Sequence, residues 1–101
     1  MARMSDDGRV AITGMGIISC LGTTLDEVSQ ALQQGQSGIV VDDERKERGF
    51  RSALTGKRPT LDYRAYGLGR KQLKSMDDPA RFAYVAAHHA LEDAGWSHDE
   101  L

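Results

Sequence analysis

The sequence predicts an α/β fold in which helices cover both sides of a sheet, and three observations carry that expectation. The first is the stretch Arg9-Val10-Ala11-Ile12-Thr13-Gly14-Met15-Gly16-Ile17-Ile18-Ser19-Cys20-Leu21-Gly22, where only Arg9 is charged. A near-continuous apolar run is expected of a strand buried on both faces, and such strands belong to helix-covered layers. The second is a capped amphipathic helix directly after it. The third is a long helix, rich in small residues, near the other end, which calls for close neighbours on more than one side.

Taken in order, the apolar stretch is interrupted by Gly14 and Gly16, which mark places where another segment approaches closely. Gly14-Met15-Gly16 also opens like a dinucleotide fingerprint. That fingerprint needs a third glycine where Ser19 stands, and a helix opening where Ile17-Ile18 continues the apolar run. A nucleotide-binding fragment therefore has only one Gly-x-Gly behind it.

Thr24-Leu25-Asp26-Glu27 forms a capping box: the Thr24 hydroxyl accepts from the N–H three residues on, and Glu27 reaches back. Leu25, Val28, Ala31 and Leu32 recur at helical spacing and Gly35 stands at the stop, so the expected helix runs from Leu25 to Gln34. Gln36–Val41 is a turn leading into a short apolar patch. The charged run Asp42–Arg48 is expected to be a solvated loop, although its opposite charges are spaced as in a helical turn. Gly49–Gly56 is a short extended piece, Pro59 interrupts, and Asp62–Tyr66 is irregular. Arg70–Met76 is a short amphipathic turn with Leu73 and Met76 on one face and Arg70, Lys71 and Lys74 on another. Asp78 as N-cap and Pro79 as first helical residue then open the strongest helix, which reaches about Ala94 and stops at Gly95. Ala83, Ala87, Ala90 and Ala94 form its small-residue stripe, beside Phe82, Val85, Ala86 and Leu91.

One buried strand cannot make a sheet, and residues 36–68 would be an unusually long connection. The expectation is an incomplete domain: residues 1–8 as a disordered leader, and 9–101 as the opening portion of something larger. The 101 residues carry 13 Lys and Arg against 15 Asp and Glu, a net charge of −2, which makes no case for nucleic acid or a membrane surface as partner. A single cysteine excludes an internal disulfide framework and a cysteine-based metal cluster. The leader has no apolar signal-peptide core, and no run approaches the roughly 20 apolar residues of a membrane span, so a cytoplasmic location is expected. The ending His98-Asp99-Glu100-Leu101 matches a retention tag that has no meaning without entry to the secretory pathway.

Arg9–Gly22 resembles the opening strand of the β-ketoacyl-acyl carrier protein synthases. The following blocks do so too: Asp26-Glu27-Val28 to Leu32, then Gly35-Gln36-Ser37-Gly38-Ile39, then Arg70-Lys71 to Met76-Asp77, then Tyr84 to Ala94-Gly95. Gly49-Phe50-Arg51-Ser52 followed by Gly56 is more similar to the type I than to the type II bacterial enzymes. The resemblance implies a thiolase-like α-β-α-β-α fold, normally a homodimer, and a decarboxylative Claisen condensation in fatty-acid synthesis with no cofactor or metal. In that chemistry a cysteine thiolate takes the acyl group, malonyl-carrier protein loses carbon dioxide, and two histidines stabilise developing negative charge. Those three residues lie beyond the region matched, so none of the catalytic residues is expected here. The resemblance also implies that a positive patch here docks the acidic acyl carrier protein, with Lys71 and Lys74 on matching positions and Arg70 next to them. A small carrier-binding module without catalysis is the alternative.

The other chemistry-bearing residues have plainer explanations. Cys20 reads as a small packed residue. His88 and His89 are neighbours on a helix and point about 100° apart, poorly placed to form one site. Glu92 and Asp93 diverge in the same way and read as surface charge, and His98 as exposed.

Overall fold

The computed structural model describes residues 8–97; residues 1–7 of the expected leader, together with His98 and the tag-like ending, lie outside the described residues. Along the chain run α1 (Leu25–Gln33), β1 (Ile39–Val41), α2 (Asp43–Glu47), β2 (Leu54–Gly56), a 3-10 turn (Tyr63–Tyr66), α3 (Arg70–Lys74) and α4 (Asp78–Asp93).

Local chemistry sets most of these boundaries. Thr24 Oγ1 accepts from the Glu27 N–H at 3.1 Å, capping α1. The Glu27 carboxylate reaches back as expected but accepts from the N–H of Thr23, at 2.8 Å, one residue upstream of the usual capping-box partner. At the other end Gly35 turns left-handed (φ +66°), and the Gln36 N–H reaches the Ala31 carbonyl at 2.9 Å. Gly95 (φ +78°) closes α4 in the same way, with Trp96 donating to Leu91 at 2.9 Å. Both ends are Schellman motifs, which satisfy carbonyls that a helix terminus leaves open.

The N-terminus of α4 is displaced by one residue from the expected position. Asp77, not Asp78, is the cap, accepting from the Ala80 N–H at 3.2 Å, and Pro79 is the second helical residue. Asp78 is left to pair with Arg58, which ties the segment after β2 to the start of α4.

The charged run expected as a loop is the helix α2. Asp42 caps it, accepting from Glu44 and Arg45 at 3.0 and 3.3 Å, and Arg48 pairs with Glu44 one turn earlier at 2.8 Å. It sits in the connection between β1 and β2, which pair antiparallel in the register Ile39–Gly56, Val40–Thr55 and Val41–Leu54. The ladder extends by Asp42 donating to Ala53 and Lys57 donating to Gly38, each at 2.7 Å. Residues 36–68 are thus not one unstructured connection but a hairpin, a short helix and a 3-10 turn.

The main departure concerns residues 9–22. They form no strand; their one ladder contact is an isolated bridge between Ser19 and Gly22. Val10 and Ile12, expected to be buried on both faces, are 79% and 87% exposed. A strand exists only where a neighbour's N–H and C=O groups line its edge. Among the described residues the sheet is the β1–β2 ribbon, and it leaves 9–18 without such an edge.

The close approach foreseen at Gly14 and Gly16 is present, and its counterpart is α4. A Cβ on Gly14 would lie 2.6 Å from Ala94 N and 2.7 Å from Ala94 Cβ. One on Gly16 would lie 2.9 Å from Ala90 N and closer still to the Ala86 carbonyl. The receiving face is therefore Ala86, Ala90 and Ala94, spaced four apart. Ala83 and Ala87 of the expected stripe are exposed. Asp93 fastens the contact, its Oδ2 accepting from the Met15 N–H at 2.9 Å. Among the described residues the buried hydrophobic side chains are Ala31, Leu68 and Val85, of which Val85 is fully buried.

Candidate functional site

A five-residue helix such as α3 cannot sustain itself, because nucleation costs more than one turn returns. Its neighbours hold it. Gln72 Oε1 accepts from the Gly69 N–H at 3.1 Å at its start, and Ser75 Oγ donates to the Gln72 carbonyl at 2.9 Å at its end. Arg81, one turn into α4, reaches across to it. Its Nη2 donates to the Leu73 carbonyl at 2.6 Å and its Nε to the Met76 carbonyl at 3.0 Å. The same guanidinium stands 5.5 Å from the ring centre of Tyr63.

These contacts enclose a basin of about 330 Å³ between the 3-10 turn, α3 and α4, lined by Arg64, Leu68, Arg70, Leu73, Lys74 and Arg81. Leu68 is buried and Leu73 half-buried, so the basin has an apolar floor under a cationic rim. Of the three basic residues singled out in the sequence, Arg70 and Lys74 stand four apart and share the basin. Lys71 is exposed and does not line it, because it lies about 100° around the helix from Arg70. Arg64 and Arg81 join the rim without having been foreseen. The available signal for Arg64 was the short Gly67-Leu68-Gly69 link, which folds the 3-10 turn back beside α3. Arg81 gave no local signal, since its partners are backbone carbonyls.

A second cluster surrounds Tyr66. Its hydroxyl lies 2.6 Å from His89 Nε2, and the His88 ring meets its edge at 5.1 Å between centroids. The two histidines diverge as expected, and one tyrosine between them touches both. The Tyr66 hydroxyl is pushed above the ordinary tyrosine value, first by burial and then by the carboxylates of Glu92 and Asp62. A protonated Tyr66 donates to Nε2 when the imidazole is neutral with its own proton on Nδ1. His88 Nδ1 lies 3.3 Å from Glu92 yet makes no hydrogen bond.

Beside this cluster a cleft of about 410 Å³ is lined by Met15, Gly16, Ile17, Thr24, Leu25, Asp26, His89, Glu92 and Asp93. Asp93 is more than surface charge, because it anchors the Met15 backbone. Cys20 is half-buried, and its sulfur lies close against the backbones of Gly38 and Gly56, the packing role expected of it. Among the described residues no three His, Cys, Asp or Glu side chains converge as a metal site, and no helix is long and apolar enough to cross a membrane.

Comparison with known proteins places this arrangement. The family model for the β-ketoacyl synthase N-terminal domain matches residues 7–101. The 3-oxoacyl-[acyl-carrier-protein] synthase 1 of Haemophilus influenzae is 38% identical over 94 residues, covering 92% of this chain and 22% of that protein. The Escherichia coli K12 protein of the same name is 37% identical over 89 residues, covering 88% of this chain and 21% of its own length. The 3-oxoacyl-[acyl-carrier-protein] synthase 2 of Vibrio cholerae is 34% identical over 87 residues, covering 86% and 21%. The chain spans about a fifth of the length of these relatives. With the match running through the glycine–alanine contact, the hairpin and the basic basin alike, the chain belongs to the β-ketoacyl synthase family and corresponds to its N-terminal domain.

Proposed function

We propose that this chain is the N-terminal portion of a 3-oxoacyl-acyl carrier protein synthase of fatty-acid biosynthesis, an acyltransferase. The match of residues 7–101 to the family's N-terminal domain carries this reading. The reaction is decarboxylative condensation. An acyl group is held as a cysteine thioester, and malonyl-carrier protein loses carbon dioxide. The resulting carbanion attacks the thioester carbonyl and displaces the thiolate. The cysteine and the two assisting histidines come from sequence beyond this region, so the chain alone is inactive. The full assembly is the layered thiolase-like fold, as a cytoplasmic homodimer.

Within that enzyme this region receives the acyl carrier protein. Arg70, Lys71 and Lys74 on α3, with Arg64 beside them, present clustered positive charge to an acidic partner. Such charge acts mainly on the association rate and weakens as salt rises. Leu73, half-buried at the basin floor, adds apolar surface beside that charge, which supports a protein partner over a bare anion. In the full-length enzyme, Arg70→Ala with Lys74→Ala is expected to raise the KM for carrier-bound substrate severalfold, with kcat little changed. An unchanged KM would remove the docking assignment. A second reading, a carrier-binding module without catalysis, is favoured by one observation: the basin is built entirely from residues 64–81. Steady condensation activity in the native protein, with none in the 101-residue chain, decides for the enzyme.

A further inference from the structure

We infer that Arg81 is the positioning residue of this docking surface: it fixes α3 so that Arg70 and Lys74 face one partner together. The inference rests on the carrier-docking reading above and adds a residue and a mechanism to it.

Arg81 is half-buried, and part of its donor fork is committed inward. Two of its N–H groups meet the carbonyls of Leu73 and Met76, where α3 ends and then turns toward α4. Carbonyls at a helix C-terminus carry partial negative charge, so a guanidinium is stabilised there even with Arg64, Arg70 and Lys74 nearby, and the Leu73 carbonyl accepts from Arg81 besides the Met76 N–H at 3.2 Å. The Tyr63 ring backs the same guanidinium at 5.5 Å. One planar group thus joins the 3-10 turn that carries Arg64, the helix that carries Arg70 and Lys74, and α4. The planar fork matters, because its donors lie in fixed directions, whereas an ammonium on a flexible stem has no such preset geometry. Without the clamp, α3 has too few turns to hold its shape, and its two basin-facing cations separate.

The test compares Arg81→Lys and Arg81→Met in the full-length enzyme. The first keeps the charge and loses the fork; the second loses both. Positioning predicts that both raise the KM for carrier-bound substrate by about three- to tenfold, a loss of roughly 0.6–1.4 kcal/mol. The kcat, and the KM for a small pantetheine thioester, stay at wild-type values. Hydrogen exchange at the amides of Leu73, Ser75 and Met76 quickens about tenfold in both. Tyr63→Leu, which removes the backing ring alone, shifts exchange and KM the same way by less, and it serves if the Arg81 variants fold poorly. A wild-type KM in Arg81→Lys overturns the inference, because charge alone would then suffice. A raised KM with unaltered α3 exchange also overturns it, because the arginine would then be a direct contact. If Arg70→Ala with Lys74→Ala leaves the carrier KM unchanged, the docking reading fails instead, while the exchange data still report whether the clamp exists.

Discussion

Gly16 carries the tightest constraint on a single residue. Its missing side chain lets the backbone at Met15–Ile17 lie on the Ala86 carbonyl and Ala90 N of α4. Gly16→Ala would push a methyl group into a helix backbone that cannot rotate aside. The expected cost is about 1–3 kcal/mol, the range for overpacking, read as a lowered melting temperature of the full-length protein. Tyr66 is constrained by charge rather than space. Burial raises its hydroxyl pKa, and Glu92 and Asp62 add to the shift. An acid whose pKa is higher in the folded state adds stability that is complete below the unfolded value, near 10, and is lost as pH rises through the folded one. Ultraviolet titration should show a phenol ionising late, and Tyr66→Phe should abolish that step.

At the scale of elements, the two aspartates before Pro79 have separable duties. Asp77→Ala removes the cap of α4 and should cost about 1 kcal/mol. Asp78→Ala leaves the cap and breaks only the pair with Arg58, whose side chain is 67% exposed, so about 0–1 kcal/mol is expected. Denaturant unfolding of the full-length variants should rank them in that order, and the reverse order would restore Asp78 as the cap. The same contrast explains which elements were legible in the sequence. Caps and stops are local chemistry: Thr24, Gly35 and Gly95 announced α1 and α4 within a residue or two. The helix α2 was missed because a run of mixed charge satisfies a solvated loop equally well, and the Asp42 cap tips the balance. The β1–β2 ladder was missed because Ile39 and Gly56 are 17 apart, and pairing across that gap leaves no periodic trace. The basic rim was legible for Arg70 and Lys74. Arg64 and Arg81 reach it only through tertiary contacts.

The molecule as a whole is spread thin. Its accessible surface is 8301 Å², against about 5,700 Å² for a compact monomer of this size. Its radius of gyration is 17.6 Å, where about 13 Å is usual for a domain of 100 residues. With Val10, Ile12 and Met15 mostly uncovered and few side chains fully buried, the chain has too little core to offset its ordering entropy. Calorimetry of the 101 residues alone should therefore show no cooperative transition, and a sharp one would mean that the exposed apolar faces are compatible with a stable independent unit.

The bond from Met15 to Asp93 joins residues 78 apart in the chain. At synthesis rates of about 5–20 residues per second, the partner of Gly14–Gly16 is made roughly 4–16 s after the glycines themselves. Throughout that interval the backbone from Gly14 to Gly16 has no helix to rest on. The nascent polypeptide thus offers a holding chaperone a grip there, and completion of α4 covers the glycine backbone while Val10 and Ile12 stay exposed.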